Sequence, residues 1–179
     1  MTQLRGWRRW PGLPGYKWLL MLAVPILAGT AWATPPFGFV TNEILASGLA
    51  ARGIRQNVRI MKNPDGTVTP WHLELEVRGD SDYYSQHLVL SPNGYSGWHS
   101  HPGVLIGAVK SGQIDFYTAT CRKRTIAAGQ VFTENDEVHA IINRGTADAD
   151  MYISYLVKHG AARRREEAAP ECAFETGIP

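Results

Sequence analysis

Three of the six histidines stand where their spacing could do chemistry. His99 and His101 lie two apart in "GWHSHPG". On an extended chain residues i and i+2 face the same side, so both imidazoles can reach one ion while Ser100 faces away. His139 follows later, with Asn143 at the same strand parity. Three imidazoles with open positions beside them suit a divalent metal ion, and imidazole fits Zn, Fe, Mn, Ni or Cu without choosing among them. No Ser/His/Asp or Cys/His nucleophile pattern competes. Standing alone, His-x-His is also what two surface histidines would give, so the elements that position the pair decide its meaning.

Those elements read as strands. "VTPWHLELEV" (68–77) alternates Leu73, Leu75 and Val77 with His72, Glu74 and Glu76, the period-2 pattern of a half-buried strand. Tyr83–Leu90 follows with β-branched and aromatic residues, and "SPNG" predicts a turn. Val104–Val109 is an apolar run closed by "KSG". Gln113–Thr118, Arg124–Ile126, Val131–Phe132, His139–Asn143 and Met151–Lys158 complete the set. Short strands at near-regular spacing, with no long helical pattern, predict an all-β sandwich or barrel. A jelly-roll barrel solves the edge-strand problem for such a chain. Upstream, residues 34–66 read as an irregular lead-in. Within it Thr41–Ala51 is open between a short helix on Ile44, Leu45 and Leu49 and a strand, since Gly48 weakens a helix. "RRREE" opens a charged tail over 161–179, expected at the surface.

The first 33 residues carry Arg5, Arg8, Arg9 and Lys17 and no acid, then the apolar run Trp18–Ala28, then Ala31 and Ala33 in an Ala-x-Ala arrangement. This is the pattern of an export signal cleaved before Thr34, with an N-terminal membrane anchor as the lesser alternative, because the run is short for a span and contains Pro25. The expected location is the periplasm or the extracellular space. Removing those four basic residues from 18 leaves 14 against 16 acidic ones, a formal charge of −2. Such a balance offers no footprint for nucleic acid. Export also places Cys121 and Cys172 in an oxidising compartment, where pairing is expected and only one pairing exists. That bridge would clip the tail to the body.

Gly94–Gly112, "GYSGWHSHPGVLIGAVKSG", resembles the first motif of the cupin family, with a glycine before the His-x-His pair and Gly112 as the closing glycine. Gly129–Asn143, "GQVFTENDEVHAIIN", resembles the second, with Gly129, His139 and Asn143 in register. The nearest resemblance is to small exported bacterial cupins carrying "GWHSHPG". It implies a double-stranded β-helix, or jelly-roll barrel, over 67–160, and a metal ion (Zn, Fe, Mn or Ni) on His99, His101 and His139. It also implies a small-molecule ligand and, by analogy, a homodimer. Two departures matter. Leu105 stands where metal cupins place a glutamate ligand, and Glu134 and Asp136 replace a Pro-x-Gly turn. The expected site is therefore three neutral imidazoles, which leave the ion's full charge to attract an anion. Gln86 and Glu134 are secondary candidates for a ligand or cavity position. Glu134, at opposite parity to His139, reads as a turn or rim residue.

Fold does not fix function. The resemblance admits a metalloenzyme, a non-catalytic binding or sensing module of the cell envelope, or a barrel without metal.

Overall fold

The computed structural model describes residues 33–60, 62–68 and 70–179. Apart from Ala33, the expected export segment lies outside them. Among the described residues no helix is long and apolar enough to cross a membrane. Strands dominate: β1 Phe37–Ala50, β2 Ile54–Ile60, β3 Trp71–Val77, β4 Ser81–Tyr95, β5 His99–Ser100 and β6 Gly103–Ser111 come first. β7 Gln113–Thr118, β8 Lys123–Ala127, β9 Val131–Glu134, β10 His139–Ile142, β11 Ala149–Lys158 and β12 Arg165–Glu166 follow, then a short 3₁₀ turn at Glu171–Glu175.

Ten of these strands form one antiparallel sheet, ordered β12-β5-β10-β4-β11-β6-β9, with β1 added to β4 and β7–β8 added to β10. The sheet curls into a nearly closed barrel of the all-β, jelly-roll class. Alternation explains why it closes around one core. On β6, Leu105, Gly107 and Val109 point inward while Val104 and Ile106 are exposed. The inward side chains meet Leu88, Leu90, Ile114, Phe132, Met151 and Ile153 in a single apolar cluster. Gly107 is required there, because a Cβ would come 2.2 Å from the Phe132 ring. Gly112, at φ +75°, closes the β6–β7 turn as a left-handed residue that a side chain would strain.

Four sequence expectations need correction or refinement. Thr41–Ala51 holds no helix. Residues up to Ala50 lie in β1, paired along β4 from Phe37↔Tyr95 to Ala50↔Ser81, so partner hydrogen bonding overrode the local apolar spacing. "SPNG" does not reverse the chain. With Asn93 at φ +60°, it bulges out of β4 between the pairs Phe39↔Leu90 and Phe37↔Tyr95, and the strand continues to Tyr95. The 68–77 stretch is a strand, but it pairs only with β2 in a separate two-stranded sheet outside the barrel, and Trp71 and Leu73 are exposed. The charged tail is not simply solvated: β12 pairs with β5, Arg165 opposite Ser100 and Glu166 opposite His99. Ala173 and Ile178 pack with Trp98 and Ile142 in a second apolar cluster.

Asn143 ties the end of β10 to the barrel. Its Nδ2 donates to the carbonyls of Leu90 and Ala147 at 2.8 Å each, and its Oδ1 accepts from the Gly145 amide at 2.8 Å. The side chain is fully buried. Truncation strands the buried Leu90 carbonyl, at a cost of about 1–3 kcal/mol, whereas water can reach the half-buried Gly145 amide and the exposed Ala147 carbonyl. Asn143→Ala is expected to lose about 1–3 kcal/mol, read as a lower urea midpoint with unchanged slope. A loss under about 0.5 kcal/mol, the range of a neutral surface change, would refute this role.

Candidate metal centre

β5 and β10 lie side by side with His139 directly opposite His99, so these two imidazoles project from the same face of the sheet. His101 follows β5 at the same parity as His99. The three ring centroids are 4.3–5.3 Å apart, and all three residues are buried. The chain thus brings together His99, His101 and His139. It also adds a fourth group: Glu134, at the end of β9 and 7% exposed. One ligand atom from each of the four lies within 4.8 Å of every other.

Backbone carbonyls fix the state of all three rings. His99 Nδ1 donates to Gly97 O at 2.9 Å, His101 Nδ1 to Arg163 O at 2.7 Å, and His139 Nδ1 to Glu137 O at 2.7 Å. A carbonyl only accepts, so each Nδ1 carries a proton and each neutral Nε2 presents a lone pair. This is the outer-sphere arrangement that orients metal-ligating histidines.

The Nε2 atoms of His101 and His139 stand 3.1 and 3.2 Å from Glu134 Oε2, near enough for ion pairs. Neither nitrogen has a hydrogen-bond partner of acceptable geometry. With the protons on Nδ1, lone pair faces lone pair across these gaps. A positive charge resolves the conflict, either as a proton or as a metal ion. Separations near 3.1 Å are what two ligands about 2.0–2.2 Å from one ion require. The residues fit a divalent metal.

The electrostatics point the same way. Burial alone would raise the Glu134 carboxyl, but the His139 charge and the His101 and His139 contacts outweigh it and hold the group far below the carboxylate range. Burial presses His139 down, yet Glu134 beside it lifts the imidazole above its ordinary value. His99 is driven well below, by burial first and by His139 second. The cluster is thus an anionic point that draws positive charge to its centre.

The turn-or-rim reading of Glu134 is therefore corrected: its carboxylate is buried beside the three imidazoles. Glu134 is the cross-strand partner of Leu105, in the register Leu105↔Glu134 between β6 and β9. The carboxylate absent at Leu105 is supplied from the neighbouring strand, on the same face. Counting parity from His139 failed because a turn separates β9 from β10, and alternation does not carry through a turn. The usable signal was the pairing of Leu105 with Glu134, which one sequence does not reveal.

Gln86 lies in the adjoining cavity, outside the cluster. Its Oε1 accepts from Tyr155 Oη at 2.5 Å, and its Nε2 donates to Asn42 Oδ1. That cavity, about 160 Å³, is also bordered by His99, His101, Glu134 and Arg163. A larger open cleft of about 700 Å³ reaches only Glu134 and His139 among the four, from the side of Phe116 and Arg124. The smaller space meets three of the four groups. The remaining histidines lie elsewhere: His87 pairs with Asp150 and stacks on Tyr152, His159 pairs with Asp82, and His72 is exposed. Cys121 and Cys172 form a disulfide.

No sequence-family model matches the chain, and no curated relative does. Solved structures do resemble it. An oxalate oxidase in complex with the substrate analogue glycolate is matched over 41% of this chain and 41% of its own, at 23% identity and TM-score 0.38. The polyketide cyclase RemF of Streptomyces resistomycificus is matched over 54% and 69%, at 17% identity and TM-score 0.43. A cupin-superfamily sugar phosphate isomerase of Silicibacter pomeroyi is matched over 42% and 51%, at 17% identity and TM-score 0.38. The matched region spans less than half the length of the oxalate oxidase, and each activity belongs to the protein that bears it. The all-β barrel of this chain is read from its own strand pairing.

Proposed function

We propose that the protein is an exported metalloenzyme that acts on a small molecule in the cavity beside His99, His101, Glu134 and His139. One observation carries the reading: four buried ligand groups converge with two Nε2 lone pairs unpartnered, an arrangement costly to maintain without a cation. The bound ion would supply Lewis-acid chemistry or activate water, or dioxygen if it were iron. Around it the chain does the positioning. Carbonyls of Gly97, Arg163 and Glu137 orient the imidazoles, and Glu134 removes one unit of the ion's charge. Burial holds the Tyr155 phenol above its ordinary value, so it stays protonated, and its O–H donates to Gln86 Oε1 at the cavity wall. Export is supported by the Cys121–Cys172 bridge, which suits an oxidising compartment.

A second reading is a non-catalytic module that binds a small ligand. Tyr155 supports it, because a phenol held neutral donates but does not act as a base at neutral pH. Metal analysis of protein purified without chelator tests the shared part: one divalent ion per chain is expected, and His139→Ala should lose it. Stoichiometric metal missing from the wild type even after reloading would rule out both readings. Turnover abolished by His99→Ala separates the enzyme from the module.

A further inference from the structure

The segment after β11 crosses the barrel mouth as a strap. Arg165 and Glu166 pair with β5, the Glu167 amide donates to Trp98 O at 3.0 Å, and Ser100 Oγ donates to Glu167 Oε1 at 2.6 Å. The strap carries two arginines to the cavity, and they differ. Arg164 is satisfied: its guanidinium donates to both Glu166 oxygens and to Ser96 O. Arg163 is half-buried and borders the same cavity. Its guanidinium lies 5.2 Å from the Tyr155 ring centre and 5.7 Å from that of Tyr84. Among the described residues no carboxylate pairs with it.

Aromatic faces orient a guanidinium while leaving its edge N–H donors free. The Tyr155 ring is also 5.4 Å from the His101 ring, and His101 donates to the Arg163 carbonyl. Arginine, tyrosine and ligand histidine therefore form one packed unit. The charges at the cavity are Glu134 (−1) and Arg163 (+1), with Arg164 and Glu166 cancelling. A divalent ion brings the sum to +2, which calls for an anion. The space is small: 160 Å³ corresponds to about five water volumes.

We propose that Arg163 is the recognition group for a small carboxylate, which would sit in the cavity between its guanidinium and the His99/His101/Glu134/His139 centre. This deepens the metal-centre reading and rests on it. The carboxylate takes the free donors in a paired hydrogen-bonding arrangement, and Tyr155 and Tyr84 hold the guanidinium in place for it.

The test uses the full chain, isotope-labelled and loaded with zinc, titrated with sodium acetate and with acetamide as a neutral isostere. The Arg163 Nε–Hε resonance, identified by its loss in Arg163→Gln, should shift saturably with acetate and not with acetamide. Read at the His101 backbone amide, acetate affinity should fall at least about tenfold in Arg163→Gln. Zinc content should stay unchanged in that variant, because the Arg163 carbonyl still holds His101. Equal responses to acetate and acetamide, or unaltered acetate affinity in Arg163→Gln, would overturn the proposal. If the wild type retains no zinc, the metal-centre reading fails by itself. The acetate titration of metal-free protein then decides for Arg163: a saturable shift supports it, and its absence refutes it.

Discussion

Exchanging two side chains across one strand pair, as Leu105→Glu with Glu134→Leu, is expected to restore the metal retention that Glu134→Leu alone destroys. Leu105 and Glu134 are register partners on β6 and β9, both buried and on the same face. Directly opposed residues have Cβ atoms about 4.5–5.5 Å apart, within reach of a glutamate that leans across. Loss of an outer-sphere partner of a metal ligand typically costs about 10–100-fold in affinity, so losing a ligand itself should cost at least about a hundredfold. Unfolding of the metal-free protein supplies a control for folding. Without metal, Glu134 is paired with His101 and His139 in the interior, and removing one member of a buried pair costs about 3–5 kcal/mol. Glu134→Leu should therefore unfold earlier than the metal-free wild type besides losing its metal, and the double variant should regain both. Metal content after a chelator challenge and thermal unfolding without metal read the two effects separately. Full metal retention in Glu134→Leu, or a double variant no better than the single one in spite of native-like unfolding, would remove Glu134 from the centre.

The same residue pair shows what one sequence can and cannot disclose. His99 and His101 were legible because His-x-His on a strand encodes a shared face locally, and His139 through the resemblance of the stretch 129–143 to a known motif. Between β6 and β11, Gly112, Gly129 and Gly145 marked three of the turns. Glu134 was not legible, since its place depends on which strand lies beside β9, and pairing between strands distant in sequence leaves no local mark. β1 shows the same limit. Its apolar spacing suits a helix as well as a strand, and only β4 alongside it settles the choice. The tail was legible only in part, for a related reason. "RRREE" has the composition of a solvated segment, yet β5 offers a free edge at the barrel mouth, and backbone pairing does not ask for apolar side chains. Where local chemistry decides, sequence suffices; where a remote partner decides, it falls silent.

Removing the disulfide, as Cys121→Ser with Cys172→Ser, is expected to lower both stability and metal affinity, and the coupling follows from where the strap runs. The bridge joins residues 51 apart, and the chain-entropy estimate for closing such a loop is about 4 kcal/mol. The tail has holds of its own: β12 on β5, Ala173 and Ile178 in the second apolar cluster, and Arg144 donating to Thr176 O. These keep part of the tail in place, so the loss should fall at about 2–4 kcal/mol. The functional consequence passes through one hydrogen bond. His101 Nδ1 donates to the Arg163 carbonyl, and a strap that detaches part of the time leaves this ring free to turn or to change tautomer. Zinc affinity should weaken about tenfold or more, and reduction of the wild type should reproduce the loss, whereas reduction of the serine variant should change nothing. Cleavage by a protease specific for basic residues should begin at Arg163–Arg165 in the variant and be slow in the oxidised wild type. Wild-type zinc affinity with the bridge removed, together with unchanged protection of those arginines, would mean that the strap holds without it. The bridge would then contribute to stability alone. The predicted coupling makes the opposite claim: a covalent link at Cys172 sharpens the metal centre because the segment it anchors supplies the acceptor that orients His101.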